Sequence, residues 1–147
     1  MRQVWRSVQH WTASNSGDFA TEHDIYHDDA VLDYPQSRER ILGRQNIQIT
    51  RTIQPNKKRF AVHRIIGSGD LWLIELVLTY DSQPLNTVSI MEFRGVRVSH
   101  ETQYFTASFE AAEARKKWVV NMDKDQGRAE GTCVSLARAD ARQSGAL

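Results

Sequence analysis

Between residues 2 and 15 apolar side chains recur at steps of three and four. Val4, Trp5, Val8 and Trp11, with Thr12 beside them, share one face of a predicted amphipathic helix. Ser14-Asn15-Ser16-Gly17-Asp18 supplies the turn formers that end it. A second short helix is expected from Asp18 as N-cap through Phe19 and Glu22 toward Tyr26. Ala30–Tyr34 (AVLDY) reads as a strand stopped at Pro35, and QSRERILGR as a loop or hairpin. Residues 45–54, with Ile47, Ile49, Thr50 and Ile53, predict a third short helix closed by Pro55 and Asn56.

The texture then changes. Residues 59–66, 71–80, 85–94 and 96–105 are rich in Val, Ile, Leu, Thr and aromatics. Gly67-Ser68-Gly69-Asp70, Asp81-Ser82-Gln83-Pro84 and Arg94-Gly95 separate them, and such short turns imply an antiparallel meander. Residues 109–122 return to helix formers, whereas 123–147 carry no periodic apolar face. The expected fold is α+β, a curved antiparallel sheet wrapped around N-terminal helices, with a domain over 1–122 and a loosely held tail over 123–147.

Composition narrows the function classes. Nineteen basic against eighteen acidic side chains leave a formal charge of +1, which steers the chain toward neither nucleic acid nor a membrane surface. No apolar run reaches spanning length, and the first residues lack a signal-peptide core. The single cysteine, Cys133, has no intrachain partner and excludes multi-cysteine metal motifs. A cytoplasmic location is expected.

Three strings in order carry a resemblance: Ser16-Gly17-Asp18-Phe19, Ile25-Tyr26-His27-Asp28-Asp29-Ala30-Val31 and Leu42-Gly43-Arg44-Gln45-Asn46-Ile47. They are similar to a helix start, the approach to the first strand and the third-helix start of the NTF2-like (SnoaL-like) superfamily. That group includes nuclear transport factor 2, ketosteroid isomerases, SnoaL-type polyketide cyclases and limonene-epoxide hydrolases. The resemblance covers about residues 4–120 and implies a cone-shaped fold with an apolar cavity. Carried over position by position, the isomerase's oxyanion tyrosine falls on His10, its general-base aspartate on Tyr34 and its second aspartate on Ser89. All three differ, so steroid isomerisation by that mechanism is not implied. For the hydrolase's Asp-Arg-Asp arrangement, no inward-facing arginine is evident.

The resemblance and period-two alternation also assign strand faces. The inward set is Leu32 and Tyr34; Trp72, Ile74, Leu76, Leu78 and Tyr80; Thr87, Ser89, Met91 and Phe93; and Glu101, Gln103 and Phe105. His10 and Trp11 reach in from the first helix. Leu73, Glu75, Val77, Val98, His100 and Tyr104 face outward, a mixed surface able to pair two copies of the chain.

The implied catalytic residues are Glu101, Tyr34 and His10. Trp11, Trp72, Ile74, Leu76, Tyr80, Ser89, Met91, Gln103 and Phe105 are the ligand-binding set for a small apolar molecule. Glu101 among aromatics is expected to have its pKa raised toward neutrality, suiting a general acid or base. The plainer alternative is that these side chains simply fill the core, leaving a dimerisation or interaction module. His23-Asp24-Ile25-Tyr26-His27 nearly matches a zinc helix, but the helix is expected to end near Tyr26, and neither metal nor other cofactor is expected. Lys57-Lys58-Arg59 with Arg51 and Arg64 reads as a solvated basic patch.

Overall fold

The computed structural model describes His10, Thr12, residues 22–54 and residues 57–122. The helix expected over 2–15, most of the one after Asp18, the side chain of Trp11 and the tail from 123 lie outside the described residues, although His10, Thr12, Glu22 and His23 are themselves helical. The chain divides into two compact units, Met1–Ser108 and Phe109–Leu147.

In the first unit the β-rich runs form strands nearly as their alternation predicts. The elements are β1 (Tyr26–Tyr34), β2 (Glu39–Leu42), α1 (Arg44–Thr52), β3 (Lys58–Ser68), β4 (Leu71–Tyr80), β5 (Gln83–Arg94) and β6 (Arg97–Ala107). They make one open six-stranded sheet in the order β2-β1-β6-β5-β4-β3. β3 through β6 are the expected antiparallel meander, and the stretch expected as a loop or hairpin after Pro35 forms an antiparallel β1–β2 hairpin. β1 and β6 pair in parallel, so the sheet is mixed. No hairpin joins these two strands, so their relative direction is not dictated by a turn.

β1 starts four residues before the predicted strand. The N–H of Val98 already donates to the carbonyl of Ile25 at 2.8 Å, so the chain at Tyr26 is paired to β6 rather than coiled in a helix. Gly67 likewise belongs to β3, opposite Trp72. A Cβ there would lie 2.3 Å from the Leu71 carbonyl and 2.9 Å from the Trp72 ring, a close approach that only glycine allows.

The inward set packs as alternation requires. Leu32, Ile74, Leu76, Leu78, Met91 and Phe93 are buried, and Ile47 of α1 closes over them. Val98, expected outside, is buried instead. Phe93 pairs with Val98 and Glu92 with His100, which leaves Ser99 as an extra residue in β6. That bulge flips the parity between Val98 and Glu101 so that both face inward.

In the second unit the helix expected over 109–122 is only a six-residue 3-10 stretch, Glu113–Trp118, with no buried residue. Phe109 and Trp118 are exposed. A helix this short is marginal unless an apolar face packs against something.

Candidate functional site

α1 carries the feature that organises the inner face. Ile47 and Arg51 are four residues apart and therefore lie on the same side of the helix. Ile47 is buried against the sheet, which brings the Arg51 guanidinium inward until its side chain is only 11% exposed. Arg51 Nη2 donates to Glu101 Oε2 at 3.2 Å, and Nη1 donates to the Tyr26 hydroxyl at 2.8 Å. The guanidinium carbon also stands 5.5 Å from the Tyr26 ring centre. The expectation that the chain lacks an inward arginine is overturned. Arg51 does not belong to a solvated basic patch, because helix phase rather than linear proximity to Lys57 sets where it points.

Glu101 sits on β6 at 0% exposure, inward as predicted. Its Oε1 accepts from Ser89 Oγ at 2.6 Å and its Oε2 accepts from the Tyr26 hydroxyl. Ser89 reaches it because Met91, two residues along β5, is its direct partner, making Ser89 the diagonal neighbour on the inner face. Burial alone pushes the Glu101 carboxyl up. The Arg51 charge, nearby His10 and the donors Ser89 and Tyr26 outweigh that and hold it below the usual carboxylate range. The expected rise toward neutrality is thus reversed: Glu101 is an ionised carboxylate with its partners in place.

The same cluster sets the neighbouring groups. Burial drives the Tyr26 hydroxyl well above its usual value, although Arg51 pulls the other way, so it stays protonated and donates. Burial lowers the His10 imidazole to about 4, with Arg51 adding to the effect. His10 is therefore neutral at physiological pH. Its Nδ1 donates to the Glu22 carbonyl at 2.6 Å, and its ring meets Tyr26 edge-on with centres 5.7 Å apart.

A cavity of about 520 Å³ opens beside this cluster. Phe60, Leu78 and Ile41 supply apolar wall, while Tyr34, Tyr80, Gln103, Thr50 and Arg51 supply polar groups. Glu22 and Lys58 also line it, with Glu39 and Arg40 at an exposed edge. Lys58, expected in a solvated loop, donates from Nζ to the Arg51 carbonyl at the end of α1. Burial lowers its pKa, an effect Glu22 opposes and Arg51 reinforces.

Of the residues singled out from sequence, Tyr34, Tyr80 and Gln103 lie on this wall. Glu101 and Ser89 sit behind it, and His10 is buried against Tyr26. Trp72, Ile74 and Met91 are core or half-buried outside the lining. Leu76 and Phe105 line a second hollow of about 440 Å³ with His63 and Tyr104, and Phe105 also meets Tyr34 edge-on at 5.5 Å. His23 and His27 do not share a helix face: the helix ends at His23, and His27 in β1 aims Nε2 at the Arg94 carbonyl, 2.7 Å away. Among the described residues no three His, Cys, Asp or Glu side chains converge as a metal site, and no helix is long and apolar enough to cross a membrane.

Tyr26, Arg51, Glu22 and Lys58 are the residues that sequence reasoning missed. The i, i+4 step from Ile47 could have found Arg51.

The chain is 52% identical to an NTF2-like protein of unknown function from Burkholderia xenovorans LB400, over 82% of this chain and 95% of that one, with a TM-score of 0.75. It belongs to the NTF2-like family. A candidate ketosteroid isomerase from Kribbella flavida shares 20% identity over 82% of this chain and 89% of its own, at a TM-score of 0.76. An LEH-like epoxide hydrolase from M. tuberculosis shares 20% over 71% and 83%, at 0.61. These last two show the fold alone. No protein-family profile and no curated protein matches the chain.

Proposed function

We propose that this protein binds a small, partly apolar molecule bearing a carbonyl or hydroxyl oxygen, and converts it by cofactor-free acid/base chemistry. One observation carries the reading: a permanently charged guanidinium, Arg51, is fixed from behind by Glu101 and Tyr26 while its side chain lines the cavity. A guanidinium has five N–H donors in a rigid fork, and the two bonds to Glu101 and Tyr26 leave donors over for a ligand oxygen. Because its partners hold it before anything binds, it can stabilise charge developing on that oxygen without reorganising. Lys58 adds a second cation on the same wall, and Tyr34 and Tyr80 add hydroxyls. Phe60, Leu78 and Ile41 suit an apolar body.

Calorimetric titration of the ketone β-tetralone against its oxygen-free analogue tetralin tests this. A hydrogen bond to a charged donor contributes about 1.5–3 kcal/mol, so β-tetralone should bind at least about tenfold more tightly. Equal affinities would remove Arg51 from ligand recognition.

A second reading, pairing of two copies through the outer sheet face, is favoured by one row of side chains. Ile66, Leu73 and Ile90 are cross-strand neighbours on the side opposite the cavity, next to the row Glu75, Val88 and Tyr104. Ile66 and Tyr104 are about half exposed. Sedimentation of the protein and of Ile90→Glu decides it. A dimer that this change converts to monomer supports the reading, and an unchanged mass overturns it.

A further inference from the structure

Lys58 differs from the other described lysines in where it stands. Lys57, Lys116 and Lys117 are exposed, whereas Lys58 is partly buried and lines the cavity. It opens β3 directly opposite Tyr80 of β4, so the two side chains lie side by side on the inner face of the sheet. Its Nζ is anchored by donating to the Arg51 carbonyl in the last turn of α1. That acceptor is a neutral carbonyl, so an uncharged amine keeps the bond and still has its lone pair free. Burial favours the uncharged form, and the Arg51 charge adds to this although Glu22 opposes it, which leaves the Lys58 pKa below the ordinary 10.5. A desolvated lysine beside a second cation is the form of this side chain that attacks carbonyl carbon.

We propose that Lys58 forms a Schiff base with a small apolar ketone or aldehyde held in the cavity. The inference rests on the pocket reading above and narrows its ligand class, because a ligand with only a hydroxyl cannot condense with an amine. With the carbonyl oxygen at Arg51, the Lys58 lone pair forms a C–N bond and the C=O π pair moves onto the oxygen. A proton then passes from the nitrogen to that oxygen, giving a carbinolamine. The oxygen takes a second proton, the one the resting ammonium gave up, and leaves as water while the nitrogen lone pair closes C=N. One ammonium and one carbonyl thus become one protonated imine and one water. Hydrolysis returns both, so no oxidant or reductant enters. Tyr80 is placed to carry these protons: it lines the same wall, and burial above all holds its hydroxyl above the ordinary 10.0, so it is protonated and able to donate. Arg51 stabilises the negative oxygen of the addition step, and Glu101 is a positioning residue that holds Arg51.

The experiment incubates the protein with β-tetralone and sodium cyanoborohydride, which reduces an iminium to a stable secondary amine, and maps the adduct by peptide mass spectrometry. Calorimetry of β-tetralone binding runs alongside. A carbonyl held beside the amine reacts at an effective concentration far above that in solution, so Lys58 should be labelled at least about tenfold faster than Lys57, Lys116 or Lys117. In urea that preference should vanish. Lys58→Arg keeps the charge but offers no nucleophilic amine, and labelling of the whole protein should fall to the rate of the exposed lysines. The wild-type map carries the test if this variant does not fold. Binding without an adduct, or with the adduct spread evenly over the lysines, overturns the proposal and leaves the pocket reading standing. So does a Lys58 preference that survives in urea, because the local sequence rather than the cavity then sets it. If β-tetralone does not bind at all, the pocket reading fails and the proposal falls with it.

Discussion

The sheet carries two ion-pair networks built from the same kinds of groups, one on each face. Inside, Arg51 holds Glu101, with Tyr26 and Ser89 completing the carboxylate's bonds. On the other side of the same strands, Arg40 grips Asp33 with two bonds of 2.7 Å. His100 then bridges Asp33 and Glu92, each at 2.9 Å. The outer geometry is the better by distance, since Arg51 to Glu101 is 3.2 Å. Yet the inner network should dominate the energetics. Its carboxylate has no solvent to fall back on, while Arg40 and Glu92 are more than half exposed. Distance tells which groups are paired, and burial tells what losing the pair would cost.

Arg51→Met has the largest expected effect. It strands a buried carboxylate and should cost about 3–5 kcal/mol in urea unfolding. The double variant Arg51→Met/Glu101→Leu should recover most of the loss, because no buried charge is then left unpaired. If the double variant is no better than the single, the network's role is not charge compensation.

The next effect is a pH dependence confined to the inner face. Burial lowers the His10 imidazole to about 4, whereas the unfolded chain takes up its proton near 6.5. Stability is therefore full above about 6.5 and falls as pH drops toward 4, because only the unfolded state binds the proton. Two and a half units at 1.36 kcal/mol each give about 3 kcal/mol. His10→Asn keeps a donor for the Glu22 carbonyl and should flatten that window. An unchanged slope would place the titration elsewhere.

Ser89→Ala removes one bond to the buried carboxylate but leaves the charge pair standing. A hydrogen bond to a charged group contributes about 1.5–3 kcal/mol, so this loss should be smaller than that of Arg51→Met. If the two are equal, the serine rather than the arginine holds Glu101.

These contrasts also show what could be read before the fold was known. Strand runs, hairpin turns and the inward parity of Glu101, Ser89 and Tyr34 follow from alternation, which is a local property of the chain. The Ser99 bulge was not legible, since no glycine or proline marks it, and it misplaced Val98. Arg51 was misread because it sits beside Lys57 and Lys58 in sequence but beside Ile47 on the helix face. Ile49 and Ile53 compounded the error: they suggested an apolar face, yet both are exposed. Tyr26 was misread because the register irregularity between Tyr26 and Val31 lets β1 begin where the sequence still resembles a helix. Glu22 gives no local signal, because its place on the cavity wall is a property of the assembled fold.

The smallest effect belongs to the outer network, where screening is the discriminating variable. The bonds from Arg40, with help from His100, hold the Asp33 carboxyl down at about 2 against an ordinary value of 3.8, although partial burial pulls upward. A depressed carboxyl contributes stability that is present above about 4 and lost as pH falls through about 2, a window below the one set by His10. Because Arg40 is largely exposed, salt reaches this pair, and at about 1 M the Debye length shrinks to about 3 Å. Acid unfolding of Asp33→Asn against wild type should therefore show a small difference at low salt that nearly vanishes at high salt. The His10 slope should survive both conditions, since burial rather than a screened pair causes it. If salt instead abolishes the His10 slope and leaves the Asp33 difference intact, burial has been assigned to the wrong face of the sheet.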